Sequence, residues 1–355
     1  MKMNCLIKKA LYCRSLSNLY QRCLLYSKKR RDSYLSFVDE LSLYSSKPNN
    51  IKPIRLYLDY KYLNNRYGFS SKQYLGYQFW KHTEYSINKY ISDRRRIELF
   101  DYADDKDYIH IMGNKHNFYD VYKKYMQNEC LFSDGSIKQE EFISFCKRNR
   151  GVVIKPINGE QGEGVKRLTV DNDEKANNAW HYFNNGYMQC EKILHNCKEI
   201  SSFHNKSLNT IRVSTVIDEK ANVHIMAATI RVGRGDSCVD NGSAGGIFAA
   251  IDVITGIICS YGYDILGNRY LMHPDTKKVF MGTPIPKWKD LQRLVLKICN
   301  EVPQLRFIGW DFVLNENYNW ILLEGNEPGG VEVHQIPLQK GLYFEYASKI
   351  YGNKR

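Results

Sequence analysis

The stretch that decides the fold is Ile308-Gly-Trp-Asp-Phe-Val-Leu314, followed after a polar connection by Trp320-Ile-Leu-Leu-Glu-Gly-Asn-Glu-Pro-Gly-Gly330. Two apolar runs joined by the polar residues 315–319 predict a β-hairpin. Asp311 lies inside the first strand. Glu324 and Asn326 lie two residues apart at the end of the second strand, so their side chains share a face. Pairing across the hairpin can bring Asp311 to that face as well.

Three oxygen-bearing side chains without a histidine or cysteine form the ligand set of a hard cation such as Mg²⁺. The alternative is an aspartate in a turn and a glutamate that caps a strand end. That alternative is disfavoured, because an unpaired charge buried in an apolar strand costs several kcal/mol. We therefore predict that Asp311, Glu324 and Asn326 bind Mg²⁺, with substrate phosphates as further ligands.

A second candidate site is Val152-Val-Ile-Lys-Pro-Ile-Asn-Gly-Glu-Gln-Gly-Glu-Gly-Val165. Lys155 ends an apolar strand, and Gly159, Gly162 and Gly164 follow it. A lysine can supply charge to a phosphate, while glycines let backbone N–H groups approach phosphate oxygens. The order of residues differs from a Walker A loop, and the strand after the loop differs from a Rossmann fingerprint. Taken alone, this stretch is equally consistent with an ordinary flexible hairpin.

The pattern of strands and helices predicts an α+β protein. Strands dominate from residue 186 onward with few helices between them, so the sheet is expected to be largely antiparallel. The predicted strands are 151–155, 165–170, 186–191, 208–217, 223–232, 246–253, 307–314 and 320–324. The predicted helices are 114–126, 138–149, 173–183 and 290–302.

The amino-acid composition restricts the possible binding partners and the cellular compartment. The 355 residues include 51 Lys and Arg against 38 Asp and Glu, a net charge of +13, which favours anionic partners such as nucleotides, phospholipid headgroups or acidic glycans. Ten cysteines without a CxxC pair indicate reduced thiols. No run approaches the roughly 18 apolar residues of a membrane-spanning helix. We therefore predict a cytoplasmic protein.

The first hundred residues are expected to be helical. Residues 1–35 are basic, with no acid before Asp32. Three interpretations stay open: an amphipathic helix on an anionic membrane, an organellar transit peptide, or a helix packed on the main body. Residues 70–102 predict one or two packed helices, and the arginine run 94–96 predicts a solvated face.

The glycine loop and the metal triad, in this order along the chain, resemble the ATP-grasp superfamily, whose D…ExN motif is followed here by Pro-Gly. Three further stretches are similar to the sugar-transfer-associated ATP-grasp family. They are Ser207-Leu-Asn-Thr-Ile-Arg-Val213, Asp240-Asn-Gly-Ser-Ala-Gly-Gly-Ile247 with Ile251-Asp-Val-Ile-Thr-Gly256, and His273-Pro-Asp-Thr276. The resemblance covers residues 109–335. It implies two α+β lobes that grip ATP, a small lobe at 109–190 and a large lobe at 191–355, after a helical extension at 1–108.

The resemblance also implies ATP and two Mg²⁺ ions as cofactors and assigns further residues. Lys115 and Lys155 would contact ATP phosphates beneath the mobile loop of Gly159, Gly162 and Gly164. The adenine-binding hinge would comprise Gln189, Glu191, Lys192 and Ile193, with Glu199 at the ribose. Arg212 would steady the acyl-phosphate transition state, although a structural salt bridge is the alternative. Asp240, Asn241, Gly245 and Gly246 would form a loop over the acceptor, or else a plain glycine turn.

One position departs from the superfamily pattern. Many ATP-grasp ligases carry an arginine two residues before the metal-binding aspartate, where this chain has Gly309. Arg212 or Arg306 would then have to supply the cation. Gln335, after the Pro-Gly turn, is a further residue that could face the substrate.

The leading functional hypothesis is a carboxylate–amine ligase that forms an acyl phosphate on a sugar or amino-acid component of a surface polysaccharide. One alternative is a kinase for a hydroxyl of a sugar or lipid-linked glycan. Another is a non-enzymatic basic protein that binds glycan or nucleic acid, but the carboxylates at the strand ends argue against it. The expected partners are a small molecule or glycan with a carboxylate and, through residues 1–35, the anionic inner face of the plasma membrane. A nucleic-acid partner is not expected.

Overall fold

The computed structural model describes residues 27–44, 47–127, 129–159, 164–242 and 245–352. The described part begins with a helical region of five helices: α1 (Lys28–Ser42), α2 (Pro53–Tyr67), α3 (Ser71–Gly76), α4 (Glu84–Ile87) and α5 (Asp93–Ala103). Pro53 opens α2, and Gly68, at φ +79°, ends it in the left-handed conformation. The predicted amino-terminal helical extension is confirmed.

An aromatic core holds this region together. Tyr74, Tyr77, Phe79 and Tyr90 are fully buried, and their rings meet at centroid separations of 4.8–6.2 Å. The expectation of one or two helices over 70–102 is wrong, because the chain breaks into three short helices. Gln78 adopts a left-handed conformation after α3, and the Thr83 side chain caps α4.

The next part carries a four-stranded antiparallel sheet in the order β1-β4-β2-β3. Its helices α8 and α9 cover an apolar core that includes Phe142, Val152, Ile154 and Phe183. The elements in chain order are α6 (His110–Gly113), α7 (Lys115–Met126), β1 (Cys130–Phe132), α8 (Gln139–Asn149), β2 (Gly151–Pro156), β3 (Lys166–Thr169), α9 (Asp173–Phe183) and β4 (Met188–Lys192).

The remaining residues build a seven-stranded antiparallel sheet in the order β11-β10-β5-β6-β7-β8-β9. Its elements are α10 (Lys198–Ser201), β5 (Thr210–Ile217), β6 (Val223–Val232), β7 (Ile247–Ile251), β8 (Gly262–Tyr263), β9 (Arg269–Tyr270), α11 (Trp288–Cys299), β10 (Phe307–Leu314), β11 (Trp320–Asn326), α12 (Glu332–Leu338) and α13 (Tyr343–Ile350). The two antiparallel sheets confirm the α+β prediction. The domain boundaries at 108 and 190 stay predictions.

The two faces of the large sheet differ sharply. One face carries the main apolar core, in which Val213, Ile230 and Trp310 pack against α11 and α7. Alternation along each strand turns the intervening residues, among them Arg212 and Asp311, to the opposite face.

In the described part of the chain, no helix combines the length and the apolar character that crossing a membrane requires.

Candidate functional site

The candidate site begins with a row of side chains across three paired strands. On the central strand β10, Asp311 lies opposite Glu324 of β11 and opposite Arg212 of β5. Residues directly opposite each other project to the same face of a sheet. The Asn326 Nδ2 lies 3.5 Å from Asp311 Oδ2 and 3.3 Å from Glu324 Oε1. The structure therefore brings the three predicted metal ligands together.

Two arginines surround the buried carboxylate of Asp311, whose side chain is 1% exposed. Its Oδ1 lies 2.8 Å from Arg212 Nε and 3.0 Å from Arg231 Nη2. The short contact with Arg212 is an ion pair without hydrogen-bond geometry, so both Arg212 Nε and Asp311 Oδ1 lack a directed hydrogen bond. The two guanidiniums thus neutralise Oδ1, whereas Oδ2 is the oxygen that faces Asn326.

The two carboxylates shift each other's protonation. Burial raises the pKa of Asp311 to about 7 against the opposing charges of Arg212 and Arg231. Burial also acts to raise the pKa of Glu324, but a hydrogen bond from Asp311 and the charges of Arg212 and Lys155 outweigh it and lower that pKa to about 2. Neighbouring acids of this kind share one proton, which a bound divalent cation would displace.

These residues fit Mg²⁺ by donor chemistry. Two carboxylates and one amide are oxygen donors of the kind that Mg²⁺ takes from proteins. Among the described residues, no cluster of three His, Cys, Asp or Glu side chains is placed to hold a metal, so Asn326 would have to be the third ligand. Its amide nitrogen faces the carboxylates, and a half-turn about χ2 presents the oxygen instead.

The side chain of Arg212 explains why a glycine stands at position 309. A Cβ at Gly309 would lie 2.7 Å from Arg212 Nη1 and 3.2 Å from the Cα of Gly329. The same Arg212 Nη1 donates to the Gly309 carbonyl at 3.4 Å. Because the glycine has no side chain, the Arg212 guanidinium fills the space beside Asp311. Arg306, the other candidate cation, instead donates to the carbonyls of Ile217 and Ile350.

The small sheet contributes a buried ion pair. The Lys155 Nζ lies 2.8 Å from Glu191 Oε1, and Gln189 Nε2 donates to Glu191 Oε2 at 3.4 Å. Burial acts to lower the pKa of Lys155, but Glu191 outweighs it and the net shift is upward, so Lys155 stays charged. The charge of Glu324 acts in the same direction, which ties Lys155 electrostatically to the metal-site carboxylates.

The glycine loop is held at its start by Lys115, whose Nζ donates to the carbonyls of Ile157 at 3.2 Å and Gly159 at 2.6 Å. Gly164 ends the loop with φ +71°. Gly162 lies outside the described residues. Both predicted phosphate-binding lysines thus flank this loop, Lys115 from helix α7 and Lys155 from strand β2.

The residues predicted to contact the adenine and the ribose lie in two separate places. Glu191 is buried, and Lys192 and Ile193 are half-buried at the end of β4. Glu199 is exposed on the short helix α10 and accepts a hydrogen bond from Tyr318 Oη at 2.8 Å. That contact belongs to the turn of the β10–β11 hairpin and not to the carboxylate row, so Glu199 remains the least supported of the predicted nucleotide contacts.

The sequence analysis missed Arg231. Its guanidinium joins Asp311 to Asp240, whose Oδ2 lies 3.7 Å from Arg231 Nε. The same Asp240 oxygen accepts from the backbone N–H of Thr210 at 2.9 Å and from its hydroxyl at 2.5 Å. The signal was available: Arg231 is a charged residue in an apolar strand, as Asp311 is. Asp240 therefore points into the sheet and positions Arg231.

The rest of the predicted acceptor loop is a tight turn. The backbone N–H of Gly246 donates to the Asn241 carbonyl at 3.0 Å, and Gly245 has φ +87°. A Cβ at Gly246 would lie 2.1 Å from the Asp240 carbonyl oxygen. These contacts explain both glycines by backbone packing, the alternative weighed for this stretch, and a role toward an acceptor stays a prediction.

Two residues of α12 are buried at the edge of the site. His334 accepts or donates at Nδ1 to Thr229 Oγ1 at 2.7 Å, and its Nε2 has no hydrogen bond. Burial lowers the pKa of His334 to about 3, with Arg212 and Arg231 acting in the same direction, so the imidazole is neutral. Gln335 is fully buried and bonds to the backbone of Ile91. The expectation that Gln335 faces a substrate is therefore wrong.

The arginine run of α5 also differs from its prediction. Arg95 donates to the carbonyls of Asn88 and Tyr90 and stacks over the ring of Tyr343 at 4.0 Å. Arg96 donates to the carbonyl of Pro328 at 3.1 Å, just after the metal triad. A solvated face is thus wrong for these two arginines, because aromatic rings and loop carbonyls from elsewhere in the chain cover them.

A lysine with a glycine loop on the smaller antiparallel sheet, and the D…ExN row on the larger sheet, are the arrangement that the resemblance to the ATP-grasp superfamily implies. A family model described as sugar-transfer associated ATP-grasp matches residues 184–350, which confirms the family over that part of the chain.

Solved structures show distant likenesses. The ATP-grasp ligase PsnB, complexed with a phosphomimetic variant of its minimal precursor, Mg and ADP, is 10% identical, with 71% of this chain covering 62% of that one at a TM-score of 0.45. A biotin carboxylase domain of 2-oxoglutarate carboxylase from Hydrogenobacter thermophilus is 16% identical, with 72% and 48% covered and a TM-score of 0.42. N5-carboxyaminoimidazole synthetase from Staphylococcus aureus, complexed with ADP, is 10% identical, with 75% and 60% covered at 0.45.

The chain thus spans less than two thirds of the length of these three structures. Likenesses this distant say nothing about the reaction. No curated protein matches the chain in sequence.

Proposed function

We propose that this protein is an ATP- and Mg²⁺-dependent carboxylate–amine ligase. The observation that carries the proposal is the convergence of Asp311, Glu324 and Asn326 beside two buried guanidiniums, those of Arg212 and Arg231. Acidic and amide oxygens next to fixed cations suit a reaction that moves a phosphoryl group between anionic oxygens.

In this proposal, Asp311, Glu324 and Asn326 hold Mg²⁺, which would neutralise the charge of the ATP phosphates. Lys155 of strand β2 and Lys115 of helix α7 bind phosphate oxygens, and the loop from Gly159 to Gly164 closes over them. Gln189, Glu191, Lys192 and Ile193 hold the adenine. Two ions at the site would be in keeping with the superfamily.

The chemistry proceeds in two steps. A carboxylate oxygen of the acceptor attacks the γ-phosphorus, the bond to the β–γ bridging oxygen breaks, and ADP leaves. An amine then attacks the acyl carbon, phosphate leaves, and the nitrogen loses a proton to give an amide. Arg212 and Arg231 stabilise the charge on the acyl phosphate, because guanidiniums can hold such oxygens at fixed positions. A closed loop excludes water, which would otherwise hydrolyse the acyl phosphate.

The acceptor carboxylate belongs, in our proposal, to a sugar or amino-acid component of a surface polysaccharide. Two features support it: the family described as sugar-transfer associated, and the net charge of +13, which favours acidic glycans. The protein is proposed to act in the cytoplasm or at the inner face of the plasma membrane.

The test is carboxylate-dependent release of ADP by the full chain with Mg²⁺, across a panel of uronic acids and amino acids with an amine present. We expect ADP, free phosphate and an amide in equal amounts. A stable phosphoester without free phosphate would instead identify a kinase. If no carboxylate stimulates ADP release, the ligase proposal is wrong.

A further inference from the structure

A cavity of about 510 Å³ lies at the far end of the large sheet, beyond α12. Its volume is within the range of small-molecule sites, roughly 300–1,000 Å³. Three separate parts of the chain form it: the aromatic helical region, the β8–β9 hairpin and the end of α12. Side chains from these parts that line the cavity are Gln78, Lys81, Tyr263, Asn268, Arg269 and Gln339.

The cavity is cationic and polar. Lys81 and Arg269 are both exposed at its wall, and no acidic residue of the described chain lines it. Asp264, the nearest acid in sequence, is buried, and its Oδ2 accepts hydrogen bonds from Asn268 and Tyr270. An anionic ligand would therefore meet two cations and no opposing carboxylate.

The walls are held in place before any ligand arrives. Asp264 Oδ1 accepts the backbone N–H groups of Leu266 and Asn268, which fixes the hairpin turn. Gln78 Nε2 donates to the Gly267 carbonyl at 3.1 Å and so joins this turn to the helical region. Fixed walls lower the entropy lost on binding.

Two of the eight non-glycine residues with positive φ in the described part of the chain line this cavity. Gln78 has φ +54° and Gln339 has φ +46°, conformations that residues other than glycine rarely adopt. Such strain persists where surrounding contacts impose it, and it clusters at ligand sites. The Gln78 oxygen accepts from Lys81 Nζ at 2.5 Å, so the strained residue holds the cation at the wall.

The cavity shares a face of the sheet with the metal triad. Arg231 pairs with Phe248, Phe248 with Tyr263, and Tyr263 with Arg269, so all four side chains lie on the face of Asp311. Four interstrand steps of about 4.8 Å separate β10 from β8, so Tyr263 lies about 19 Å from Asp311 along the sheet. A group bound here is too distant to react at the triad.

We propose that this cavity binds an anionic sugar unit, a hydroxylated ring that carries one phosphate or carboxylate, as a recognition site for an extended acceptor. Lys81 and Arg269 bind the anion, Tyr263 offers an aromatic surface to the ring, and the amides of Asn268 and Gln339 bind hydroxyls. Binding of the unit stands by itself, whereas its assignment to the acceptor rests on the ligase proposal.

Binding is tested without ATP on the full chain, by calorimetry and saturation-transfer NMR. The probes are glucose 1-phosphate, glucuronate, neutral glucose and inorganic phosphate. We expect one of the two anionic sugars to bind, and its affinity to fall at least about tenfold in Lys81→Glu and Arg269→Glu. Lys72→Glu, a neighbouring exposed lysine outside the cavity, should bind like the unaltered chain. Arg269→Lys should restore part of the affinity.

Several results would overturn the proposal. They are no saturable binding of either anionic sugar, binding that both charge reversals leave unchanged, or inorganic phosphate binding as tightly as the sugar phosphate. ADP affinity, measured on the same samples, should be the same in all variants and shows that they are folded. Loss of ADP binding in the unaltered chain would contradict the ligase proposal and leave the cavity result standing.

Discussion

At the scale of single residues, the guanidinium beside Asp311 comes from the neighbouring strand. Gly309 leaves space that the Arg212 guanidinium occupies from the neighbouring strand. We predict that Arg212 supplies the cation that many ATP-grasp ligases carry two residues before the aspartate. That residue could be proposed from the sequence, but only the register of β5 against β10 distinguishes Arg212 from Arg306.

Gly309→Ala tests this exchange. The new methyl group would lie 2.7 Å from Arg212 Nη1, so we expect the guanidinium to move and turnover to fall about 10- to 100-fold. ADP affinity should change little, because the triad is not altered. Gly113→Ala is the control, since a Cβ there meets nothing within 4 Å. Turnover equal in both variants would show that Arg212 does not depend on this space.

Asp240→Asn tests the second cation. The amide keeps a hydrogen bond to Thr210 but removes the negative charge beside Arg231, so Arg231 keeps only Asp311 as a carboxylate partner, with a hydrogen bond to Thr210 Oγ1. We expect turnover to fall about tenfold with a smaller change in KM, as for a residue that positions a catalytic group. The control is Asp252→Asn, a half-buried turn aspartate bonded to Thr255. A change in KM alone would favour the acceptor contact predicted for Asp240.

Site residues could be identified from the sequence where a local pattern of residues is enough to place them. Asp311, Glu324 and Asn326 follow from strand alternation and one hairpin. Arg231 and His334 did not, because their proximity to Asp311 depends on which strands and helices pack together, and that information is not local. Gln335 was misassigned for the same reason: its partner Ile91 is more than two hundred residues away in the chain.

At the scale of elements, the hairpin strands and most helices follow their predictions. Helix α9 and strands β6 and β10 have the predicted bounds. The short strands β1, β8 and β9 were not predicted, since two or three residues are too few for a periodic signal. The run 70–102 was not resolved into its helices, because breaks set by Gln78 and Thr83 depend on packing and capping.

The contact between the end of α5 and the start of β10 should make the stability of the fold depend on pH. Asp104, at the end of α5, accepts the backbone N–H groups of Arg306 and Phe307, which begin β10. Burial raises the pKa of Asp104 to about 7, above its value of about 3.9 in the unfolded chain. The folded state therefore binds more protons between these values, so this residue's contribution to stability is full below pH 4 and is lost as pH rises to 7.

The measurement is the free energy of unfolding against pH for the unaltered chain and Asp104→Asn. In the unaltered chain, we expect the contribution of Asp104 to the free energy of unfolding to fall by up to about 1.4 kcal/mol per pH unit between pH 4 and 7. Asp104→Asn should lack this pH-dependent contribution. The control is Asp101→Asn, an exposed residue of the same helix. Parallel curves for the unaltered chain and Asp104→Asn would contradict the raised pKa.

At the scale of the whole molecule, the helical region packs against the rest of the chain. Gln335 and Arg96 tie it to α12 and to the loop after the triad, and Phe248 of the large sheet packs in its aromatic core. The sequence indicated a helical extension but not this integration, which depends on contacts between distant segments.

The amino-terminal basic segment carries the prediction of membrane attachment. Residues 1–26 carry Lys2, Lys8, Lys9, Arg14 and Arg22 and no acid, but they lie outside the described residues. We predict weak attachment to anionic vesicles that salt reverses. Deleting 1–26 should weaken co-sedimentation without abolishing it, because the exposed basic run 28–31 at the start of α1 is retained. Equal co-sedimentation by both forms would contradict the prediction.

The central claim is a magnesium-dependent nucleotide site at Asp311, Glu324 and Asn326, and the most direct measurement is ADP affinity by calorimetry with and without Mg²⁺. For the unaltered chain and for Glu316→Ala, an exposed residue of the hairpin turn, we predict that Mg²⁺ strengthens binding at least about tenfold. For Glu324→Ala and Asn326→Ala we predict that this gain disappears while metal-free affinity stays. An equal Mg²⁺ effect in all four proteins would contradict the account.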